Sequence, residues 1–559
     1  MYGIQICVNG KPRGGENDIL YKNVECRNYM INKFSEDKIF WESEELIVLL
    51  DGVILNKKEL IVSEQQESWI DTVVSLYKKD SDTFFRQFRG SFAGALFEKA
   101  TGKLTVFTDQ LGTKFIYYSQ VGDKLIVSQM AGEGMYNLLK EQGIDYHLDS
   151  ESAKLLMTYG FMIEDYTLCK EVRKLEPGCY LTFQSGIIDI QRYYMLDNTP
   201  DTSLSEEDAI ETIDRLFRQA VTREYEKDLE YGYHHVCALS GGLDCRMTTW
   251  VAHDLGYTFQ TNVTFSQTGY YDQTIPQQIA EDLKHEWLFK ALDNGMWLYD
   301  VDEVTRTTGG NVLYYGTAHG NSLCKYMSFD KLGLLHSGQL GDVILSTHLS
   351  NGYGEYCFGH GAYSTRFIDK IRIQPKRKLN EEIGLLYYRY LNGTNNGLQN
   401  IYNYTETLSP FLDLDLLEFA LTIPVSLRLN HHIYKKWILK KYPAAAKYIW
   451  ETTGCRIDAR MIHWGKREKP LVKVPSLILA RLGIVGKGID SKKHMNPIGY
   501  YLSHNESLFT YLKSYFKYVE RISDDSVRRI AETVEKNGSP MEKIQLVTLL
   551  ATIKLYYAE

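Results

Sequence analysis

His234-His235-Val236-Cys237-Ala238-Leu239-Ser240-Gly241-Gly242-Leu243-Asp244-Cys245-Arg246 is the stretch that decides the fold of this 559-residue chain. His234–Leu239 reads as a buried strand. Asp244–Leu255 reads as a helix that stops at Gly256. The turn between them, Ser240 to Asp244, is rich in chemistry. Two glycines let the backbone approach a ligand closely. Bare amide N–H groups at a helix N-terminus favour an anion, and the Ser240 hydroxyl adds a donor. A carboxylate at Asp244, beside a phosphate, suits Mg²⁺, which prefers carboxylate and phosphate oxygens. A Walker A loop would need G-x-x-x-x-G-K-[ST]. The nearest approach, Gly486-Lys487-Gly488, has Arg481 at the first glycine position and no Ser or Thr after the lysine.

Outward from this turn, strand and helix patterns alternate. Gln260–Phe265 and Leu332–His336 read as strands, and Tyr271–Lys284 as a helix. Such alternation predicts a doubly wound α/β sheet. Upstream, residues 197 to 205 read as a linker, closed by Ser205 as the N-cap of a helix running toward Glu224. Residues 1–197 read as β-rich, with short strands at Glu45–Leu50, Gly94–Glu98, Leu104–Asp109, Phe115–Ser119, Lys124–Ser128 and Tyr180–Phe183. Helical patterning there is confined to Ser68–Tyr77 and Ser152–Tyr159. Beyond about residue 400 the chain reads as mostly helical. Ser409-Pro410 supplies an N-cap with proline at N1, and that helix must stop before Pro424.

Composition narrows the class. Hydrophobic residues are 44% and charged residues 24%, ordinary for a globular protein. The 63 basic and 71 acidic residues leave a net charge of −8, against a nucleic-acid binder working by bulk positive charge. Lys376-Arg377-Lys378 and Lys466-Arg467-Glu468-Lys469 read as solvated loops. The nine cysteines form no C-x-x-C pair, so a reducing cytoplasm is expected. The start shows no signal-peptide pattern, and no run of 18 apolar residues exists. Leu471–Val485, broken by Lys473 and Arg481, reads as a core helix with charged flanks.

Several segments together carry a resemblance. Ser240 to Asp244 resembles the pyrophosphate-binding loop S-G-G-x-D-S of the ATP pyrophosphatase (PP-loop) group, with Cys245 in place of the last serine. Ser337-Gly338-Gln339-Leu340-Gly341-Asp342 is similar to the S-G-E-G-S-D segment of asparagine synthetases. Glu406 to Asp413 resembles their E-x-R-x-P-F-L-D, and Lys436-Trp437-Ile438-Leu439 their K-x-I-L helix. In the first half, Gly90-Ser91-Phe92-Ala93 resembles G-x-F-A. Asp109-Gln110-Leu111-Gly112 followed by Tyr117-Tyr118 resembles R-D-x-x-G…L-Y-Y, and Glu176-Pro177-Gly178 with Tyr180-Leu181 resembles the close of that domain. The chain is identified on these segments as similar to class B asparagine synthetases and β-lactam synthetases.

The resemblance implies two domains. Residues 1–197 would form an N-terminal nucleophile-hydrolase-like β-sandwich of the type 2 glutamine amidotransferase kind. Residues 205–559 would form a synthetase domain: a PP-loop, doubly wound α/β unit with a helical C-terminal part. The implied reaction adenylates a carboxylate with ATP, releases pyrophosphate, and transfers the acyl group to ammonia or an amine, releasing AMP. Asp244 and Asp342 would hold Mg²⁺. Leu239, Ser240, Gly241, Gly242, Asp244, Cys245, Thr264, Ser337 and Gly338 would hold ATP. Lys436, with Lys435 as the fallback, would stabilise developing charge, and Glu406 would orient or deprotonate the amine. Asp272 is a weaker polar candidate. Arg246 either reaches a substrate anion or pairs with a nearby acid. His319 and His336 lack partners at metal-ligand spacing and read as packed or hydrogen-bonded histidines.

The chain also departs from that family. Tyr2 stands where the glutaminase cysteine nucleophile would be, and a phenol is a poor replacement for a thiolate. The family's N-G-E-I-Y-N appears as Asp51-Gly52-Val53-Ile54-Leu55-Asn56, so Asp51 and Val53 replace an amide and an acid. Its R-G-P-D is not recognisable. The first half therefore reads as an inactive glutaminase. Ammonia would arrive free, from another protein or from the substrate. Leu408 and Val343, in place of Arg and Glu, put aspartate in doubt as the carboxylate. A homodimer is allowed. Three other readings compete: a glutamine-hydrolysing asparagine synthetase, opposed by Tyr2; a nucleotide-binding pseudoenzyme, opposed by Asp244, Asp342, Glu406 and Lys436; and a tRNA-modifying ATP pyrophosphatase, opposed by the negative charge.

Overall fold

In the first half, the apolar strands are arranged in the computed structural model as two six-stranded antiparallel sheets. The structure describes all residues except 348, 350–352, 358, 360, 374, 465, 466, 474, 476–493 and 559. Gly486-Lys487-Gly488, and Leu471–Val485 beyond the turn Leu471–Lys473 and residue 475, thus lie outside the described residues. One sheet is built around Gly3–Val8, flanked by Val24–Tyr29 and Lys124–Ser128. The other is built around Leu46–Ile54 and Gly90–Glu98. Ile4, Ile6 and Val8 of the first sheet meet Ile47, Leu49, Ala93 and Val106 of the second. The opposite face of the second sheet turns Val48, Leu50 and Leu96 toward the helix Trp69–Asp80 and the aromatic turn Phe84-Phe85. All nine residues of Leu46–Ile54 are buried. Burial on both faces explains why this segment reads as a continuous apolar run rather than an alternation.

Ser205 caps the long helix Glu206–Glu230 by accepting from the Asp208 amide at 3.1 Å. This helix runs six residues past the expected end. A five-stranded sheet follows, in the order Glu286–Ala291, Gln260–Ser266, His234–Ala238, Leu332–His336, Thr407–Leu408, with every pair parallel. Strand order reverses at His234–Ala238, the topological switch point of a doubly wound sheet, where ligands bind beyond the strand C-termini. The edge strand Glu286–Ala291 is not signalled in the sequence, because its exposed edge position relaxes the apolar pattern.

The expected Ser409 helix is corrected. Pro410–Leu412 makes one 3₁₀ turn, and the α-helix is Leu414–Thr422, capped by Asp413, whose carboxylate accepts from the Asp415 amide. The Ser409 hydroxyl donates instead to the Gln339 carbonyl at 3.0 Å. The last part of the chain is helical, and Pro540–Thr552 starts with a full capping box. Its end returns to the first half, where Tyr556 stacks on Tyr136 at 3.8 Å. Part of the Lys376–Lys378 stretch also bridges the halves, with Lys376 paired to Asp165 at 2.6 Å and Arg377 paired to Glu176. Among the described residues no helix is long and apolar enough to cross a membrane.

Candidate functional site

The Ser240–Gly242 turn leaves the central strand His234–Ala238 and feeds the helix Asp244–Asp254. Its conformation is locked from several directions. The Gly242 amide donates to Ser240 Oγ at 3.3 Å, and the Gly241 amide donates to Asp272 Oδ1 at 2.7 Å. Burial pushes the Asp272 carboxyl up to about 6. A Cβ at Gly241 would meet Glu451 and Asp272 at 2.9 and 3.2 Å, so only glycine fits between them.

The second motif packs directly on the first. A side chain at Gly338 would overlap the Cys245 amide, and one at Gly341 would come within 2.7 Å of the Asp244 carboxyl carbon. This close approach carries Asp342 onto Asp244, and the Asp342 amide donates to Asp244 Oδ2 at 3.0 Å. Tyr434, fully buried, donates its hydroxyl to Asp244 Oδ1 at 2.9 Å. Burial, and then the Asp342 charge, push the Asp244 carboxyl well above the usual carboxylate range. Among the described residues no lysine or arginine pairs with Asp244. Burial, followed by Asp244, pushes the Cys245 thiol up to about 11, so it is a neutral donor at neutral pH.

Leu239 directly follows the strand His234–Ala238, while Thr264 lies two residues inside the end of the neighbouring strand Gln260–Ser266. Thr264 Oγ1 donates to the Leu239 carbonyl at 2.7 Å and accepts from Trp287 Nε1 at 3.0 Å. The Ser337 amide and hydroxyl both donate to the Leu408 carbonyl, at 2.9 and 3.0 Å. Arg246 takes neither of its expected roles. Its guanidinium is completely buried and donates to the carbonyls of Gly241, Ala445, Tyr448 and Ile449, at 2.6 to 3.4 Å. It ties the Ser240–Gly242 turn to the segment 445–449.

Two expected site residues are not brought to this loop. Lys436 lies on the helix His432–Lys441, but its side chain is 52% exposed and faces Glu206 at 3.7 Å. Tyr434, two positions earlier, holds the inward position. Lys435 is partly buried. Glu406 is fully buried but faces the first half of the chain. Lys38 and Lys114 lie 2.9 and 2.8 Å from its two carboxylate oxygens. The same lysines lie 3.2 and 3.0 Å from Asp51. Burial alone would raise the Asp51 carboxyl, but Lys114 and Lys38 outweigh it and hold it at about 2. The four side chains make a closed, charge-balanced square across the two halves, and Glu406 is not available as a base. Sequence reading missed Lys38, Lys114 and Tyr434. Of these only Lys114 had a local signal, two residues after the Asp109–Gly112 segment.

In the first half, Tyr2 is 3% exposed, packs against Tyr402 at 5.9 Å, and has a buried hydroxyl with no hydrogen-bond partner. Val53 is fully buried against Phe34 and Leu334. Burial, and then Glu25, push the Cys7 thiol up to about 11. His319 is packed against Phe265 at 4.6 Å, and burial lowers its imidazole to about 4. His336 sits between two carboxylates, Glu224 at 3.1 Å and Asp228 at 2.8 Å, and Asp228 also accepts from His235 at 2.9 Å. Burial would lower its imidazole, but Asp228 and Glu224 overcome this and raise it to about 9. His336 is hydrogen-bonded as expected, but the fold, unlike the sequence spacing, gathers ligand atoms of Asp228, His235 and His336 within 4.8 Å of one another.

A glutamine amidotransferase domain family matches residues 32–194. A putative asparagine synthetase [glutamine-hydrolyzing] 2 of Methanocaldococcus jannaschii is 28% identical over 289 residues, 47% of this chain and 54% of that one. Asparagine synthetase [glutamine-hydrolyzing] 1 of Bacillus subtilis is 23% identical over 278 residues, 48% of this chain and 42% of that one. The chain thus spans about half the length of these curated relatives. A solved glutamine phosphoribosylpyrophosphate amidotransferase from B. subtilis shares 10% identity at a TM-score of 0.24, covering 51% of this chain and 59% of that one, too low a likeness to bear on the fold. The chain therefore carries a segment matching a glutamine amidotransferase domain and is similar over about half its length to proteins named asparagine synthetases.

Proposed function

We propose that the chain is an ATP-dependent amide ligase that adenylates a carboxylate and transfers it to ammonia or an amine. One observation carries this reading. Asp244 and Asp342 converge, without a lysine or arginine against Asp244, beside a two-glycine turn at a helix N-terminus. Desolvation and the Asp342 charge both oppose ionisation of the Asp244 carboxyl, so a cation held there would favour its charged form. The donor set is all oxygen and lies next to amides suited to phosphate, which fits Mg²⁺. When bound, Mg²⁺ would neutralise charge on the phosphates of ATP.

The chain's own residues supply the rest. The Ser240 hydroxyl offers a donor to pyrophosphate, the Gly241 and Gly242 amides would exchange their bonds to Asp272 and Ser240 for it, Cys245 adds a thiol, and Ser337 and Gly338 bound the nucleotide from the neighbouring strand. Leu239 and Thr264 flank the adenine. In the first step a carboxylate oxygen attacks the α-phosphorus and the bond to the β-phosphate oxygen breaks. In the second the nitrogen attacks the acyl carbon, loses a proton, and AMP leaves with the carbon–oxygen bond pair. Lys436 and Glu406 have no part in this scheme. The proposed division is residues 1–197 and 205–559, in keeping with the change from antiparallel to parallel sheets. We read the first half as lacking glutaminase activity. Asp51 is consumed by two lysines, Val53 is apolar core, and the Cys7 thiol is held neutral. A cytoplasmic setting agrees with nine unpaired cysteines.

The test measures AMP and pyrophosphate release from Mg-ATP with L-aspartate, using ammonium or glutamine, with Asp244→Asn as the blank. Turnover with ammonium alone supports both parts. Turnover with glutamine overturns the reading of the first half. If Mg-ATP fails to bind, the ligase reading fails.

A further inference from the structure

On either side of Gly338, Ser337 and Gln339 line a cavity enclosing about 610 Å³ of non-atom space, part of it open to solvent. It lies between the C-terminal ends of the central strands and the first half of the chain. Leu398, Leu408 and Leu412 form much of its wall. Most polar side chains on that wall are already bonded within the protein. Asp109 accepts from the backbone at 111, 113 and 114. Gln110 donates to Phe88, Tyr402 to Thr113, Ser337 to Leu408 and Ser409 to Gln339. Asp413 pairs with Arg223 at 2.8 Å.

Two buried polar atoms on the same wall have no partner: the side-chain Nδ2 of Asn395 and the side-chain Oε1 of Gln339. Asn395 is only 2% exposed. A buried donor or acceptor without a partner costs about 1–3 kcal/mol, so a pair of them on one cavity wall marks where a ligand makes its bonds. One is a donor and one an acceptor, and neither is charged. We propose that this cavity binds a primary carboxamide on an aliphatic body, with the amide oxygen accepting from Asn395 and the amide NH₂ donating to Gln339. A terminal amide can present either end by a half-turn of its last torsion, and a primary carboxamide complements it in both settings. The wall's Glu224 is engaged by His336 at 3.1 Å and its Arg89 by the Arg86 and Phe88 carbonyls at 3.3 and 3.4 Å, so a carboxylate or an ammonium group would bring a buried charge that neither amide neutralises. The leucines take the aliphatic part. Under the ligase reading, on which only this identification rests, the carboxamide is the product formed when ammonia is the acceptor.

The experiment is calorimetric titration of the full chain with isovaleramide, with isovalerate and isoamylamine as charged counterparts. Saturable binding of the amide, at least about tenfold tighter than either counterpart, is expected. Asn395→Leu and Gln339→Met should each weaken it about tenfold, the loss of one hydrogen bond that leaves a ligand group unpaired. Gln339 is partly exposed, so its variant tests the idea even if Asn395→Leu fails to fold. No saturable binding to the wild type, equal binding of the charged counterparts, or full binding by Gln339→Met would overturn the proposal. Asp244→Asn separates the two readings. Amide binding there without AMP release in the wild type sinks the ligase and not the cavity. AMP release in the wild type without amide binding sinks the cavity alone.

Discussion

Two pairs of acids in this molecule are treated in opposite ways: Asp51 and Glu406 are fully buried, whereas Asp244 and Asp342 are partly exposed. Asp51 and Glu406 are bridged by Lys38 and Lys114, two acids against two lysines, and Asp51 is held at about 2. Asp244 and Asp342 are bridged by a backbone amide and braced by a tyrosine hydroxyl, and Asp244 is pushed upward. The first pair is complete within the chain and joins its halves. The second lies at a partly exposed strand-to-helix turn, and among the described residues Asp244 has hydrogen-bond donors rather than a lysine against it.

The largest expected effect breaks the second pair. Asp244→Asn should lower ATP-dependent AMP release by about 10²–10³-fold, the scale for losing one group that stabilises transition-state charge. The sign for stability runs the other way. A carboxyl raised in the fold is penalised once the pH exceeds its unfolded value, near 4. Without divalent cations at neutral pH, the variant should therefore melt at the same temperature or higher. A lower melting temperature would show that Asp244 is an ordinary structural acid.

Lys114→Met should act in the reverse sense. Removing one member of a buried ion pair strands a charge, at about 3–5 kcal/mol in urea unfolding. Adding Glu406→Gln should recover part of that loss. A cost under about 1 kcal/mol would mean that the square is not an electrostatic lock. Asp51, held low, adds stability above its unfolded value near 4 and loses it as pH falls toward 2.

A smaller effect concerns His336, which sits between Glu224 and Asp228. Its imidazole is raised to about 9, so its contribution is full below about 6.5 and is lost as pH rises through 9. Urea midpoints should fall between pH 7 and 10 in the wild type, with His336→Gln showing a flatter profile. Equal slopes would remove His336 as the cause. The smallest effect is at Lys436, whose pairing with Glu206 is exposed. Lys436→Ala should change stability by no more than about 0.5 kcal/mol and AMP release by less than about twofold. A hundredfold loss of activity would restore it to the site.

The parallel sheet was legible because its strands are short apolar runs with unambiguous stops, and Leu332–His336 falls where the pattern puts it. The turn at Ser240 was legible because glycines and an acid at a strand-to-helix junction have few other uses. Less visible were features set by which way a side chain leaves its element. Lys436 and Tyr434 share one helix, and two positions of rotation separate solvent from the Asp244 carboxyl. Arg246 looked equally suited to a substrate and to an acid, yet the Gly241 carbonyl and three carbonyls about 200 positions away, at Ala445, Tyr448 and Ile449, claim it.

The sequence by itself determined three central strands of the parallel sheet and the place of the two-glycine turn at Ser240, since these depend on local patterns within about a dozen residues. Only the tertiary structure decided which acids are paired with lysines. Lys38, Asp51, Lys114 and Glu406 come from segments up to 368 positions apart. A buried charge is settled by its nearest neighbours in space, and chain order does not record them.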